Sequence, residues 1–409
     1  MQDKTQKFII RSFKKYYSAE KLEVPDRLSR REFGLMFFDR SFVLRHISFA
    51  TKQELRGYII DNVPSHLYYS SAYYEKPDAQ NMADKKWMGA DLVFDLDADH
   101  VRDVAGLSYP DMLKRVKDEM IRLIDEFIIG DLGVDEKHLK IVFSGGRGYH
   151  AHVNDPRVLK LESHERREIV DYITGTDLDF DWLFPSVTFD AKQFAQRVHP
   201  ITKKEMPKKD SGGWKGKMVR GLPKFLQDLE TMGVDEAVRR FSGLRDERSK
   251  RALGEKTVRE MYSELFKKRK GSGRGTDRII AENNIEIFSR ESHLTAFLRI
   301  LNNYVKIALV GETDEPVTSD IRRLIRLPSS LHGKTGLRVT SLSRDLLPDF
   351  DPLRDAFPSS LTDKTMKIEV KENIRIKLKD EEFVFETGES EVPEFAALFL
   401  ACRKSAELI

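Results

Sequence analysis

Cysteine is almost absent from this sequence, because Cys402 is the single cysteine among 409 residues. An intrachain disulfide is therefore excluded, and structural zinc is doubtful because a thiolate zinc site would lack its ligands. Long apolar runs are also missing, and the longest, residues 395–402, is far too short to span a bilayer. The polar start, Met1 to Phe8, predicts no signal peptide, which together with the lack of disulfides indicates a reducing, cytoplasmic compartment.

A strong excess of one charge is lacking as well, since 70 Lys and Arg residues stand against 67 Asp and Glu residues and leave a net charge of +3. The net charge by itself does not indicate nucleic-acid binding, so a prediction of such binding has to rest on where the basic residues cluster. Hydrophobic residues make up 40% of the chain and charged residues 33%. This composition is typical of a globular protein with a substantial core.

The pattern of elements indicates an α/β (α+β) fold class with a mixed sheet. Apolar and acidic residues alternate over Asp91–Asp97, which predicts a strand. An apolar stripe from Pro110 to Phe127 predicts a helix, and Leu139–Phe143 predicts a second strand.

The domain organisation follows from a change in composition. Residues 156–289 are rich in charge and mostly helical by pattern, so we predict a helical subdomain there, inserted into a discontinuous core of residues 1–155 and 290–409. Two stretches rich in glycine and lysine interrupt the insertion, Lys203–Lys217 and Lys267–Arg278, and both predict exposed loops.

Asp95 and Asp97 form an acidic pair on the first predicted strand. Side chains two residues apart on a strand point to the same face. Two carboxylates on one face repel each other unless a cation lies between them, and Mg²⁺ prefers such oxygen ligands. An isolated Asp-x-Asp also fits an ordinary solvent-facing strand, so the pair alone is a weak signal.

A glycine-rich turn, Ser144-Gly145-Gly146-Arg147-Gly148-Tyr149-His150, follows the second predicted strand. Its glycines allow a close approach of an anion to the backbone, and Ser144, Arg147 and His150 add donors. These are the groups that bind a triphosphate, although an exposed β-turn with an arginine has the same composition. The segment is no P-loop, because the Gly-Lys-Ser/Thr ending is missing.

A third segment runs from Asp314 to Gly336 and is dense in cations. Arg326 and His332 flank Pro328, and the surrounding glycines indicate a fixed loop. Cations near a carboxylate suit a nucleoside triphosphate with its metals, but a basic surface helix that ends in a turn explains the segment equally well.

The three segments together, in this order, resemble the small catalytic subunit of DNA primases of the archaeal and eukaryotic type. The family pattern is an Asp-x-Asp strand, a Ser-Gly-x-Arg-Gly-x-His turn, and a third aspartate before a Leu-(Arg/Lys)-x-Pro-x-Ser-x-His segment. The sequence of residues 329–336 is closest to the archaeal branch, and the similarity covers most of residues 1–345. The family's small zinc site has no counterpart here, because residues 99–139 contain no cysteine.

The resemblance implies roles for individual residues. It implies that Asp95, Asp97 and Asp314 are catalytic and hold two Mg²⁺ or Mn²⁺ ions, with Asp320 as the alternative third carboxylate. The residues that it implies for nucleotide binding are Arg45, Ser144, Arg147, His150, Arg326 and His332. Arg45 fits a structural ion pair equally well.

The function that the resemblance implies is synthesis of short RNA primers on single-stranded DNA from nucleoside triphosphates, in a cytoplasmic, nucleoid-associated heterodimer with a large primase subunit. Template contacts are expected in the two glycine- and lysine-rich stretches, where Trp214 is a candidate to stack on a base. Two alternatives remain: a repair or ligase-associated primase-polymerase of the same superfamily, and a non-catalytic nucleic-acid-binding protein.

Overall fold

The computed structural model describes residues 2–100, 106–194, 197–245, 251–268, 273–309 and 315–409. The α-helices are α1 (Gln2–Ala19), α2 (Lys52–Asn62), α3 (Tyr109–Arg122), α4 (Ser163–Thr174), α5 (Phe180–Leu183), α6 (Gly213–Phe241), α7 (Glu255–Phe266), α8 (Gly275–Glu282), α9 (Glu291–Leu309), α10 (Glu315–Ser319), α11 (Pro352–Asp355) and α12 (Glu394–Cys402). A π-helical segment, Leu123–Ile129, continues α3.

The strands are β1 (Phe33–Met36), β2 (Leu44–Ile47), β3 (His66–Ser70), β4 (Ala72–Tyr74), β5 (Trp87–Ala90), β6 (Leu92–Asp97), β7 (Leu139–Phe143), β8 (Gly148–Val153), β9 (Ser186–Phe194), β10 (Arg197–Lys204), β11 (Leu324–Arg326), β12 (Thr340–Leu342), β13 (Thr365–Val370), β14 (Ile374–Leu378), β15 (Glu381–Phe385), β16 (Gly388–Pro393) and β17 (Ala406–Leu408). The α+β class is confirmed. All pairings between these strands in the described part of the chain are antiparallel, where a mixed sheet was expected.

The chain divides into two compact units, one of Met1–Val170 with Gly311–Ile409 and the other of Asp171–Val310. These boundaries differ from the expected ones at residues 155 and 290, because most of α4 belongs to the first unit and all of α9 to the second. Helix α9 is amphipathic and packs against α6 and α7 of the second unit.

Two four-stranded sheets dominate the first unit, one in the order β12-β7-β8-β6 and the other in the order β11-β3-β1-β2. Helix α3 packs against β6 and β8. Its Ser108 cap accepts a hydrogen bond from the backbone N–H of Asp111, and Pro110 follows in the first turn, which is a favourable helix start. Strand β7 has the same bounds as the predicted strand.

The C-terminal part of the first unit contains two separate groups of strands. Strand β13 pairs with β16 and β17, whereas β14 and β15 form a separate hairpin. Each of these strands alternates buried and exposed residues, so sequence alternation alone does not tell which strand pairs with which. Helix α12 packs on β13, β16 and β17, and all its residues from Phe395 to Cys402 are buried.

The second unit is mostly helical, with α6, α7 and α9 packed together. Helix α6 is kinked at Gly233, which has a φ of 75° and separates two helical stretches. The hairpin of β9 and β10 also belongs to this unit and was not predicted. Among the residues described here, no helix is long and apolar enough to cross a bilayer.

Candidate active site

The acidic pair lies on β6, whose neighbour β8 places His150 opposite Asp95 and Gly148 opposite Asp97. The alternate residues of the strand, Leu92, Phe94 and Leu96, are almost fully buried. Burial of that face leaves the side chains of Asp95 and Asp97 on the other face, 21% and 34% exposed. The strand therefore has the apolar and acidic faces that its alternation predicts.

His150 supports the first carboxylate, because its Nε2 lies 3.3 Å from Oδ1 of Asp95. Burial lowers the pKa of His150, and the opposing effect of the Asp95 charge does not overcome it. The imidazole is consequently neutral near pH 7. It contacts Asp95 without adding a positive charge to the site.

The glycine-rich turn is braced by its own serine. The Ser144 hydroxyl accepts hydrogen bonds from the backbone N–H groups of Gly146 and Gly148, at 3.4 and 3.2 Å. Gly145 has a φ of 76°, and a Cβ atom there would lie 2.8 Å from Cβ of His332. Glycine is required at this position both for the backbone conformation and for the close approach of a distant segment.

Arg147 projects from this turn towards the acidic strand. Its Nη2 lies 3.5 Å from Oδ1 of Asp97 and hydrogen-bonds to the Asp99 carboxylate. The side chain is 44% exposed, so it can still contact a ligand.

Arg326 comes from β11 and is held by His66. A guanidinium has only donors, so its Nη1 donates to Nδ1 of His66, at 2.7 Å, and the N–H of Gly333 donates to the same atom at 3.3 Å. Burial, together with the charges of Arg326 and Lys334, lowers the pKa of His66 to about 3. The imidazole of His66 is therefore a neutral acceptor that orients the arginine.

His332 connects the third segment to the glycine-rich turn. Its ring centroid lies 4.8 Å from that of His66, and a Cβ atom at Gly146 would be 3.0 Å from its Nε2. Thr335 donates to the carbonyl oxygen of Gly145 at 2.6 Å. Burial, assisted by the Arg326 charge, lowers the pKa of His332 well below its usual value.

These side chains surround one cavity of about 760 Å³. Of the residues that the sequence predicts for the site, those that line it are Asp95, Asp97, Ser144, Arg147, His150, Arg326 and His332. Two carboxylates thus face a set of cations and imidazoles that come from segments far apart in the sequence. Such a cavity can take a polyanion together with hard divalent cations.

Comparison with known proteins gives the family. A family model described as DNA primase small subunit matches residues 94–344. This chain belongs to the DNA primase small subunit family. It is 39% identical over 413 residues to the DNA primase small subunit PriS of Methanothrix thermoacetophila, with 100% of both chains covered. It is 40% identical over 413 residues to PriS of Methanocella arvoryzae, with 100% of this chain and 99% of the relative covered. As a DNA primase, the chain is an enzyme.

The third carboxylate of this primase is not settled by geometry, because Asp314 lies outside the described residues. Helix α10 follows directly after it and packs against β6, and Val317 of α10 lines the cavity. Asp320 is exposed and accepts a hydrogen bond from the N–H of Arg322 at 2.8 Å. It does not line the cavity. In the part of the chain that is described, no group of three or more His, Cys, Asp or Glu residues could hold a metal.

Arg45 does not line the cavity. Its Nε and Nη2 donate to the two carboxylate oxygens of Glu32, at 3.0 and 3.3 Å. Glu32 is completely buried and also lies 3.5 Å from Nζ of Lys85. The structure thus gives Arg45 a structural ion pair, and a nucleotide contact is not supported.

Trp214 was expected in an exposed loop, and this expectation is wrong. The side chain is completely buried at the start of α6, and its Nε1–H donates to the Tyr172 carbonyl at 2.7 Å. The expected loop Lys203–Lys217 instead includes the end of β10 and the first turn of α6. Trp182 is the exposed tryptophan, with Nζ of Lys215 4.5 Å from its ring centroid. Part of the other stretch, residues 269–272, lies outside the described residues.

Sequence reasoning missed residues that line the primase cavity and one, His66, that lies behind its lining. His66 has no motif around it, and its role follows only from its contacts with Arg326 and Gly333. Arg403 and Lys404 line the cavity from the end of α12. They lie beyond the family match, and no sequence signal connects them with Asp95.

Proposed function

We propose that this chain is the catalytic subunit of its primase and synthesises short RNA primers on single-stranded DNA by metal-dependent nucleotidyl transfer. The observation that carries the proposal is the single cavity in which Asp95 and Asp97 face Arg147 and Arg326. A protein that only bound nucleic acid would have no use for two carboxylates in a basic pocket, since they would repel the phosphates.

The donor set of the cavity fits Mg²⁺ or Mn²⁺. Asp95 and Asp97 present oxygen atoms on one face of a strand, and both are partly exposed towards the cavity. Asp314 is proposed as the third ligand because it precedes α10, which packs on the same strand. A divalent ion bound there would polarise the α-phosphate and lower the pKa of a 3′-hydroxyl.

The chain's own residues then have distinct tasks in binding the nucleotide. Ser144 keeps its hydroxyl hydrogen for a phosphate oxygen, since its oxygen already accepts the two turn N–H groups. Arg147 from the glycine-rich turn and Arg326 from β11 both line the cavity, where their charges would neutralise the leaving pyrophosphate. The neutral imidazoles of His150 and His332 keep the acidic pair and the turn in position.

Partners follow from the same proposal. The relatives are named as small subunits. We therefore propose a large primase subunit as the partner in a heterodimer, nucleoside triphosphates as substrates, and single-stranded DNA as the template. The proposed location is the cytoplasm, at the nucleoid.

Primer synthesis on an unprimed single-stranded template, with the large subunit present, tests the proposal. We expect labelled ribonucleotides to be joined into short products that Asp95→Ala and Asp97→Ala abolish. Arg375→Ala on β14 is the control, because Arg375 pairs with Glu382 and does not line the cavity. Products that form only with an added primer would instead favour the repair-type polymerase, and incorporation at the wild-type rate by both Asp variants would refute catalysis at this site.

A further inference from the structure

The cavity has a third wall that comes from the end of α12. Arg403 and Lys404 line the same cavity as Asp95 and Asp97, although more than 300 residues separate them in the sequence. The preceding helix is buried along its length, and β17 directly afterwards pairs with β13. The two cations are thus held between fixed elements.

Arg403 is connected to the glycine-rich turn through Tyr109. Its guanidinium carbon lies 4.3 Å from the centroid of the Tyr109 ring. The Tyr109 hydroxyl donates to the carbonyl oxygen of Gly146 at 2.6 Å. Arg403 therefore stands beside the turn that carries Arg147, on the side of the cavity where the tail of a triphosphate would be held.

Most of the other basic groups at this turn already have partners. Arg147 contacts Asp97 and Asp99, and Arg326 donates to His66. Nε2 of His150 lies 3.3 Å from Oδ1 of Asp95. Arg403 contacts uncharged groups, the ring and hydroxyl of Tyr109 and the ring of Phe399, and neither Arg403 nor Lys404 makes an ion pair with a residue that the structure describes. Their charges are therefore not neutralised by a carboxylate of the described chain.

Lys404 has a left-handed backbone conformation, with a φ of 64°. It follows the last turn of α12, where its N–H donates to the carbonyl of Ala401 and the next N–H, of Ser405, donates to Leu400, both at 3.0 Å. Glycine is favoured at this position because it has no Cβ. Glycine can therefore replace Lys404 without disturbing the end of the helix, while the ammonium group is removed from the cavity.

We propose that Arg403 and Lys404 form a terminal-phosphate subsite, which binds the γ-phosphate of the incoming nucleoside triphosphate. This subsite rests on the proposed function, since it takes the incoming nucleotide to be the ligand of the cavity. It allows the enzyme to distinguish a triphosphate from a diphosphate before chemistry begins.

The test compares binding of ATP and ADP, each with a fluorescent N-methylanthraniloyl group on the ribose, to the full chain in the presence of Mg²⁺. We expect Lys404→Gly and Arg403→Gln each to weaken binding of the ATP probe by about tenfold, as for the loss of one charge-assisted hydrogen bond. Binding of the ADP probe should change by less than about twofold.

Lys404→Gly separates function from folding, because glycine suits the backbone at this position. We expect the Tm of this variant to equal or exceed that of the wild type. The matched control is Arg375→Ala, which also removes one positive charge, from the exposed β14–β15 hairpin. It should leave the affinities of both probes unchanged.

Three outcomes would overturn the subsite: equal losses for the ATP and ADP probes, no loss for either, or a loss confined to single-stranded DNA affinity. The test is also independent of turnover. If Asp95→Ala abolishes priming but Lys404→Gly leaves the ratio of the ATP and ADP affinities unchanged, only the subsite is wrong. If the ratio falls while Asp95→Ala still primes, only the proposed catalysis is wrong.

Discussion

Three aspartates of the same parity along the chain, Asp91, Asp95 and Asp97, have very different surroundings. The carboxylate of Asp91, immediately before β6, is buried, and each of its oxygens has a close donor: Nη2 of Arg31 at 2.7 Å and the hydroxyl of Tyr73 at 2.5 Å. Asp95 and Asp97 lie further along the same stretch, within β6, and face an open cavity. Their neighbours there include Arg147, Arg326 and the histidines His150 and His332.

The difference between these sites separates stability from function. A buried carboxylate with its donors in place cannot bind a ligand without losing them, and breaking such a pair destabilises the fold. Two partly exposed carboxylates side by side stabilise little, since they repel each other until a cation binds. Mutations in the two groups should therefore have opposite consequences.

The largest effect is expected at the cavity. Asp97→Asn should lower kcat for nucleotide incorporation by about 10³-fold, or roughly 4 kcal/mol, because a metal ligand and its charge are lost. The Tm should stay the same or rise, since one of two repelling charges is removed. Steady-state incorporation on a primed template and thermal unfolding measure the two quantities. A parallel fall in kcat and Tm would show that Asp97 is structural.

The buried pair should respond in the opposite way. Arg31→Met removes the partner of Asp91 and should destabilise the fold by about 3–5 kcal/mol, because it leaves a carboxylate buried without its cation. Urea unfolding followed by circular dichroism gives the free energy. Arg31 also donates to the carbonyls of Ser70 and Ser71, so these bonds are lost as well. A change below about 1 kcal/mol would contradict the assignment of this pair to stability.

His66, which accepts a hydrogen bond from Arg326, should make the free energy of unfolding depend on pH. Burial and the Arg326 charge lower the pKa of His66 to about 3, against about 6.5 in an unfolded chain. Between these values the unfolded state binds more protons, so stability is complete above pH 6.5 and falls towards pH 3, by about 1.4 kcal/mol per pH unit. The charged and titratable groups that face His66 are Arg326, Lys334 and His332.

Urea unfolding at pH 7, 6 and 5 tests this dependence. His66→Gln keeps an acceptor for Arg326 without a titrating group, and it should make the slope shallower in this range. An identical slope in the variant would assign the proton uptake to other groups.

The smallest effect is expected at Arg45, whose side chain is 39% exposed. Arg45→Gln should lower the free energy of unfolding by at most about 1 kcal/mol, because Lys85 stays 3.5 Å from the buried Glu32 carboxylate and solvent screens the partly exposed Arg45. Arg31→Met is the internal reference in the same urea experiment. A loss at Arg45 as large as that at Arg31 would remove the distinction between a buried and a partly exposed pair.

The sequence predicted local structure well where one segment determined it. The alternation in β6, the bounds of β7 and the helix over residues 110–127 all follow from neighbouring residues. Trp214 shows the limit of this reasoning, since glycines and lysines around it suggested a loop while its indole is buried against the second unit's helices. The composition of a segment does not show which single side chain in it is buried.

The candidate site was predictable to the extent that motifs marked it. Seven of the residues that the motifs indicate line one cavity. His66, Tyr109 and Arg403 were missed, because each acts through a contact with a residue far away in the sequence. Such contacts depend on how β3, α3 and α12 pack, and no pattern within those elements encodes their neighbours.

Segments far apart in the sequence line the cavity, and this determines when the cavity can form during translation. Asp95, Arg326 and Lys404 emerge in that order, and the pocket needs all three segments. Contacts of such long sequence separation form slowly. Residues 171–310 can pack while the first unit still waits for β11 and α12. A nascent chain that stops short of residue 403 thus carries the acidic strand without its basic surroundings, and nucleotides meet a working pocket only after translation has passed that point.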